Sequence, residues 1–134
     1  MALASAILLV AGHAESKKKI VIPVEKTSPA DGKLMYRNYC APCHGTDGKG
    51  NGPAASALKN APTDLTKMAQ MNNGKFPDSH VVVVLKFGTE IPAHGSATMP
   101  VWGPILANMS HINTVERDLR ISNLARYLES IQEK

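Results

Sequence analysis

The peptide Cys40-Ala41-Pro42-Cys43-His44 constrains this chain more than any other feature. Two cysteines three positions apart, followed directly by a histidine, form the attachment signature of a c-type haem. On a short helical turn the two thiols reach the two vinyl groups on one edge of the ring. The histidine then offers its imidazole to the iron as the proximal axial ligand. Competing uses of a Cys-x-x-Cys pair fit poorly. Zinc needs four ligands, and no second Cys or His pair stands at a finger-like distance. Thioredoxin-like chemistry needs a strand leading into the motif, whereas the residues before Cys40 read as helix. With both cysteines used here, none is left for a structural disulfide.

A chain of 134 residues reads as one domain. Its aromatic content is 4%, low for a core of this size, and a covalently held haem supplies the missing large apolar body. Residues 2–12 are nearly all small or apolar, a stretch suited to a secretory leader and too short to span a bilayer. The expected organisation is a signal peptide at 1–14, cleaved after Ala14, an extended lead-in at 15–27 and one domain at 28–134. No firm membrane insertion of the mature domain is expected. Net charge is +4, and two ionised haem propionates would lower it by about two charges, leaving a mildly basic protein. The basic residues are dispersed and no recognition motif accompanies them, so nucleic-acid binding is a poor reading. Within the lead-in, Ile20-Val21-Ile22-Pro23-Val24 is apolar and is expected to lie against the domain surface.

The remaining pattern predicts short helices joined by loops. One helix starts near Ser28-Pro29-Ala30-Asp31, where Ser or Asp caps it and Pro29 suits the first turn, and it runs into Cys40. Gly45-Thr46-Asp47-Gly48-Lys49-Gly50-Asn51-Gly52-Pro53 has four glycines in nine residues and is expected to wrap closely around the ring edge on the proximal side. Residues 54–58 read as a single helical turn, and residues 62–71 as a turn followed by a capped short helix. The four valines 81–84 favour a strand by propensity, yet no partner strand is evident, so a helix from Asp78 or Ser79 to Phe87, closed by Gly88, is expected. Residues 89–104 hold three prolines and no period and read as one long loop. The last helix runs from Asn113 or Thr114 to Ile131, with Val115, Leu119, Leu124, Tyr127, Leu128 and Ile131 as its apolar face.

An iron with one histidine takes a sixth ligand or keeps an open position. Candidates are Met35, Met68, Met71, Met99, Met109, His80, His94 and His111. A methionine on a helix face is usually core filler, which covers Met35, Met68 and Met71. Met99 lies in the aperiodic loop as Thr98-Met99-Pro100-Val101-Trp102-Gly103, stiffened by Pro100. It is the favoured metal ligand beside His44. Trp102 is expected to seal a ring edge and offer its indole N–H to a propionate.

Taken together, Cys40-Ala41-Pro42-Cys43-His44-Gly45, Gly52-Pro53, Met99-Pro100-Val101-Trp102 and Ala125-Arg126-Tyr127-Leu128 resemble a small class I cytochrome c of bacterial type, over roughly residues 28–131. The resemblance implies an all-α cytochrome c fold wrapped around one covalent haem c. It implies that Gly32 and Tyr36 pack against the last helix at Tyr127, that the Pro53 carbonyl accepts from Nδ1 of His44, and that the valine helix flanks the distal loop. The implied function is periplasmic electron transfer through a six-coordinate His/Met iron, with redox proteins as transient donors and acceptors. Two rival readings stand beside it. One is a haem enzyme, or a gas- or peroxide-binding protein, with an open distal site, where His94 is the tempting distal group. The other is a haem subunit of a larger respiratory oxidoreductase.

Overall fold

In the computed structural model, the described residues are 25–88, 99–109 and 113–134. The expected leader at 1–14, the apolar stretch 20–24, His94 and His111 lie outside them. Among the described residues there are helices and no strand, in keeping with the all-α class.

The chain enters a continuous helical stretch at residue 32. It comprises α1 (Gly32–Met35), a π-helical turn (Tyr36–Cys40) and α2 (Ala41–His44). Asp31 caps it, its Oδ1 accepting from the Leu34 N–H at 2.8 Å. The π turn widens the helix up to and including Cys40, and such bulges frequently accompany functional sites. A 3₁₀ turn at Ala55–Ala57 matches the single turn expected there. A second 3₁₀ turn, Leu65–Lys67, capped by Asp64, runs into α3 (Met68–Met71).

The valine run is helical. It lies in α4 (Asp78–Phe87), which ends at Gly88 with φ +82°. Val81 and Leu85, four apart, are buried, while Val83 faces water, so the four valines sit astride a half-buried helix. A further helix, α5 (Trp102–Met109), begins in the last three residues of the stretch read as loop and runs beyond it. Pro104 is its third residue. A first-turn N–H has no intrahelical partner, so a proline there forfeits no hydrogen bond.

The last helix, α6 (Thr114–Ser130), is capped by Asn113, whose Oδ1 accepts from the N–H groups of Val115 and Glu116. It packs against α1, α4 and α5. Its buried face is Ile121, Leu124, Ala125 and Leu128, with Tyr127 and Ile131 partly buried. Val115 and Leu119, expected on that face, are exposed instead. The helix turns Arg120 inward in their stead.

Two contacts fix the helix crossing. Gly32 is buried where α1 meets α6; a Cβ at that position would stand 2.1 Å from the Asn123 carbonyl oxygen. Only a glycine lets the backbones approach so closely. One turn on, the rings of Tyr36 and Tyr127 meet at 5.1 Å between centroids, the pairing expected for these residues.

Arg120 is fully buried. Its guanidinium donates to Glu116 Oε1 at 2.8 Å and to Thr27 Oγ1 at 3.2 Å. Thr27 Oγ1 meets the Tyr39 hydroxyl at 2.7 Å, and that hydroxyl donates to the Glu25 carbonyl. Residues 25–27, expected as part of an extended lead-in, are therefore tied into the core by a charge-assisted network. Among the described residues no helix is long and apolar enough to cross a membrane.

Candidate functional site

Cys40 closes the π turn, and Cys43 and His44 stand on α2. Both cysteines are free thiols, Cys40 buried and Cys43 half-buried. Burial pushes the Cys40 thiol up to about 12, with the nearby Cys43 adding to the rise, and burial also raises Cys43.

The glycine-rich loop, expected to wrap the ring edge, is bonded to the helical turn that carries the motif. Gly50 N–H donates to the His44 carbonyl at 2.7 Å, Gly52 N–H to the Cys43 carbonyl at 3.0 Å, and Ala54 N–H to the Pro42 carbonyl at 2.9 Å. These bonds satisfy carbonyls that the end of α2 leaves without a helical partner. A Cβ on Gly52 would lie 2.5 Å from the carbonyl oxygens of both Ala41 and Pro42, so the loop backbone presses directly on the motif. Tyr36 adds a bond from its hydroxyl to the Gly45 carbonyl at 2.7 Å; burial raises its ionisation well above the usual phenol range, keeping it a donor.

The imidazole of His44 is oriented by one contact. Nδ1 stands 3.0 Å from the carbonyl oxygen of Thr63. A carbonyl only accepts, so Nδ1 carries the proton and Nε2 carries the lone pair. Burial lowers the pKa of this histidine, opposed by the Thr63 bond, so the ring is neutral at neutral pH. This corrects the role expected of Pro53. That residue is exposed on the wrapping loop, and the carbonyl facing Nδ1 comes from the segment running into the Leu65–Lys67 turn. The segment is held in place by Leu65 N–H donating to the Gly48 carbonyl at 2.7 Å. A backbone carbonyl leaves no mark in a sequence, so Thr63 had no signal by which to be found.

The donor set fits haem c. Two reduced thiols and a neutral imidazole with an Nε2 lone pair share one helical stretch. Partly buried apolar side chains, Leu65, Met68, Met99, Ile105 and Met109 among them, pack against the core and offer hydrocarbon to a large ring. No group of three or more His, Cys, Asp or Glu able to hold a bare metal ion occurs among the described residues.

The other candidates are distributed as follows. Met99 sits at a bend three residues before α5 and is partly buried against the core. Trp102 opens α5, is buried, and stacks on Tyr39, the neighbour of Cys40, with centroids 5.6 Å apart. Its ring is thereby committed to the helix that carries the cysteines. Met35 is fully buried, as expected of core filler; Met71 is exposed; Met109 has its sulfur 3.5 Å from the Tyr39 hydroxyl. His80 lies on the exposed side of α4.

Residues 27–113 match the family described as cytochrome c oxidase, cbb3-type, subunit III. The chain belongs to this family of c-type cytochromes. Comparison with curated proteins gives no match, and comparison with solved structures gives none. As a c-type cytochrome the protein has the all-α cytochrome c fold and carries covalently attached haem c with its iron. Its role lies in haem-based electron transfer. The matched span contains the attachment motif, the wrapping loop, Thr63 and Met99, together with the whole of α1–α5.

Proposed function

We propose that this c-type cytochrome is an exported electron carrier whose iron is held between His44 and Met99, passing single electrons between docked redox proteins. The observation that carries the reading is the His44 imidazole, half-buried and neutral, with Nδ1 engaged by the Thr63 carbonyl, which leaves Nε2 for ligation. Haem c supplies a one-electron Fe(II)/Fe(III) couple. The chain's residues do the rest. Cys40 and Cys43 would hold the ring as thioethers, each thiol adding across one vinyl group. The Thr63 bond orients the imidazole and raises its basicity. The Met99 thioether, soft and uncharged, favours the ferrous state and a higher potential. The low polarity of the surrounding Leu65, Met68 and Ile105 acts in the same sense. If His44 and Met99 both hold the iron, no site is left for a substrate, which would favour a carrier over an enzyme.

The partners are proposed to be redox proteins that dock weakly, steered by charge, so the transfer rate falls with added salt. The family description also supports a second reading, in which the domain serves as a haem subunit within a respiratory oxidase complex. The chemistry is common to both; a lasting partner distinguishes them, and purification under mild conditions reveals it. Export is supported by the compartment in which haem c is attached, and removal of a leader after Ala14 by the small residues Gly12 and Ala14.

One spectrum tests the axial pair. Ferric protein with methionine on iron has a weak far-red sulfur-to-iron charge-transfer band. The band is expected in the unmodified protein, absent in Met99→Ala, and retained in Met68→Ala and Met71→Ala. A high-spin ferric protein that binds cyanide at once refutes the carrier reading.

A further inference from the structure

We infer that Gln132, on the segment that follows α6, is a positioning residue for the His44 imidazole, acting through the strand of backbone that presents the Thr63 carbonyl. The inference rests on the reading of His44 as the proximal ligand.

The side chain of Gln132 makes three hydrogen bonds, each to backbone. Its Oε1 accepts from the Ala69 N–H at 2.9 Å, and its Nε2 donates to the Leu65 carbonyl at 2.8 Å and to the Leu128 carbonyl at 2.7 Å. One amide thereby ties the last turn of α6 to the start of the Leu65–Lys67 turn and to α3. Three of its four hydrogen-bonding positions are accounted for, which fixes the side chain's rotamer as well as the backbone it holds. A backbone bond runs parallel to it, from Glu133 N–H to the Thr66 carbonyl at 2.8 Å. The Lys49–Glu133 ion pair at 2.9 Å ties the same segment to the wrapping loop, but both side chains are exposed and such a pair contributes little.

Residue 65 is two positions from Thr63. Between them, Asp64 accepts from the Thr66 N–H and hydroxyl at 2.9 and 2.6 Å, so the backbone from 63 to 66 is a short, closed turn with little freedom. Its outer anchors are the Leu65 N–H on Gly48, the Leu65 carbonyl on Gln132 and the Thr66 carbonyl on the Glu133 N–H. The peptide units of Leu65 are thus clamped from both sides, by the proximal loop and by the end of α6. The Thr63 carbonyl has no comparable anchor of its own and inherits its position from this turn. Releasing the Gln132 side of the clamp lets the turn shift away from His44. The Nδ1 bond then lengthens, the imidazole becomes less basic, and the ferric state loses stabilisation.

The test uses the holoprotein and compares Gln132→Leu, which removes all three bonds at similar volume, with Gln132→Asn, one methylene too short to span Leu65 and Ala69. Asn123→Ala, which removes the Asn123 bond to the Pro29 carbonyl elsewhere on α6, is the stability control. Exchange of the axial imidazole N–H is followed by NMR in the ferrous state, and the reduction potential is measured by spectroelectrochemistry. Gln132→Leu is expected to speed that exchange roughly tenfold, the ratio for loss of about one net hydrogen bond, and to shift the potential upward. Gln132→Asn moves both the same way by less and serves if the leucine variant fails to fold. Asn123→Ala lowers the melting temperature with both readouts unchanged. A Gln132→Leu protein that melts earlier but keeps wild-type exchange and potential overturns the inference, as does an equal shift in Asn123→Ala. An unmodified protein with no axial imidazole N–H signal refutes the His44 reading itself, a separate outcome.

Discussion

Replacing Gly32 with alanine adds one methyl group at the tightest point of the fold. The new Cβ would stand 2.1 Å from the Asn123 carbonyl oxygen, 2.8 Å from its carbonyl carbon and 3.2 Å from Tyr127 Cβ. Ordinary contact begins near 3.4 Å, so α1 and α6 must part by roughly 1 Å. The obstacle is helix backbone, which cannot rotate aside as a side chain can. Overpacking of this kind costs about 1–3 kcal/mol. Parting the helices also loosens the Tyr36–Tyr127 pair, itself worth about 0.5–1.5 kcal/mol. Against this, alanine gains up to about 1 kcal/mol of helix propensity over glycine. The net loss is about 1–3 kcal/mol. For a domain of this size that is a fall in melting temperature of about 5–15 °C. Thermal melting of the holoprotein followed by far-UV circular dichroism reads it directly, with Lys33→Ala, one residue along and exposed, as a neutral comparison. A Gly32→Ala protein that melts at or above the wild-type temperature refutes the close crossing.

Arg120→Met keeps the buried hydrocarbon stem and removes the guanidinium from Glu116 and Thr27; the expected loss is about 2–4 kcal/mol, near the lower end for a buried pair broken on one side, because Glu116 keeps some access to water. Denaturant unfolding measures it, and an unchanged midpoint contradicts the network. Asp64 is held below the usual carboxylate range chiefly by the Thr66 hydroxyl. A carboxylate with a depressed folded pKa contributes stability that is complete above its unfolded value and is lost as pH falls through the folded one. Asp64→Asn should therefore show a smaller drop in melting temperature than wild type on acidification below about pH 4; equal drops in the two proteins contradict the capping role.

Much of this architecture was legible because the chemistry that demands it is written in side chains. Cys40, Cys43 and His44 announce a covalent haem on a helical turn. Gly88 and Asn113 mark a helix end and a helix start by their backbone and capping preferences, and the structure has both boundaries. Gly32, Tyr36 and Tyr127 were legible through resemblance, and their contacts are those expected. What escaped has physical reasons. Helix α5 was hidden by Pro104, a breaker almost anywhere except in the first turn, where it lies. Arg120 carries no sequence signal of burial, because a charged side chain is seldom buried without partners and its partner Thr27 is 93 positions away. Val115 and Leu119, expected on the buried face of α6, lie in solvent instead. The acceptor for His44 is a main-chain atom of Thr63, and only tertiary packing decides which carbonyl meets an imidazole.

Everything chemical in this account depends on the covalent bond between the ring and the two thiols. Acid–acetone extraction of the purified protein, followed by intact mass of the polypeptide, examines that bond without assuming anything about ligands or partners. Colour is expected to stay with the protein, with a mass increment of one haem that is lost in the Cys40→Ala, Cys43→Ala double variant. Colour that passes wholly into the acetone phase, leaving a polypeptide of unmodified mass with two free thiols, contradicts the account at its centre.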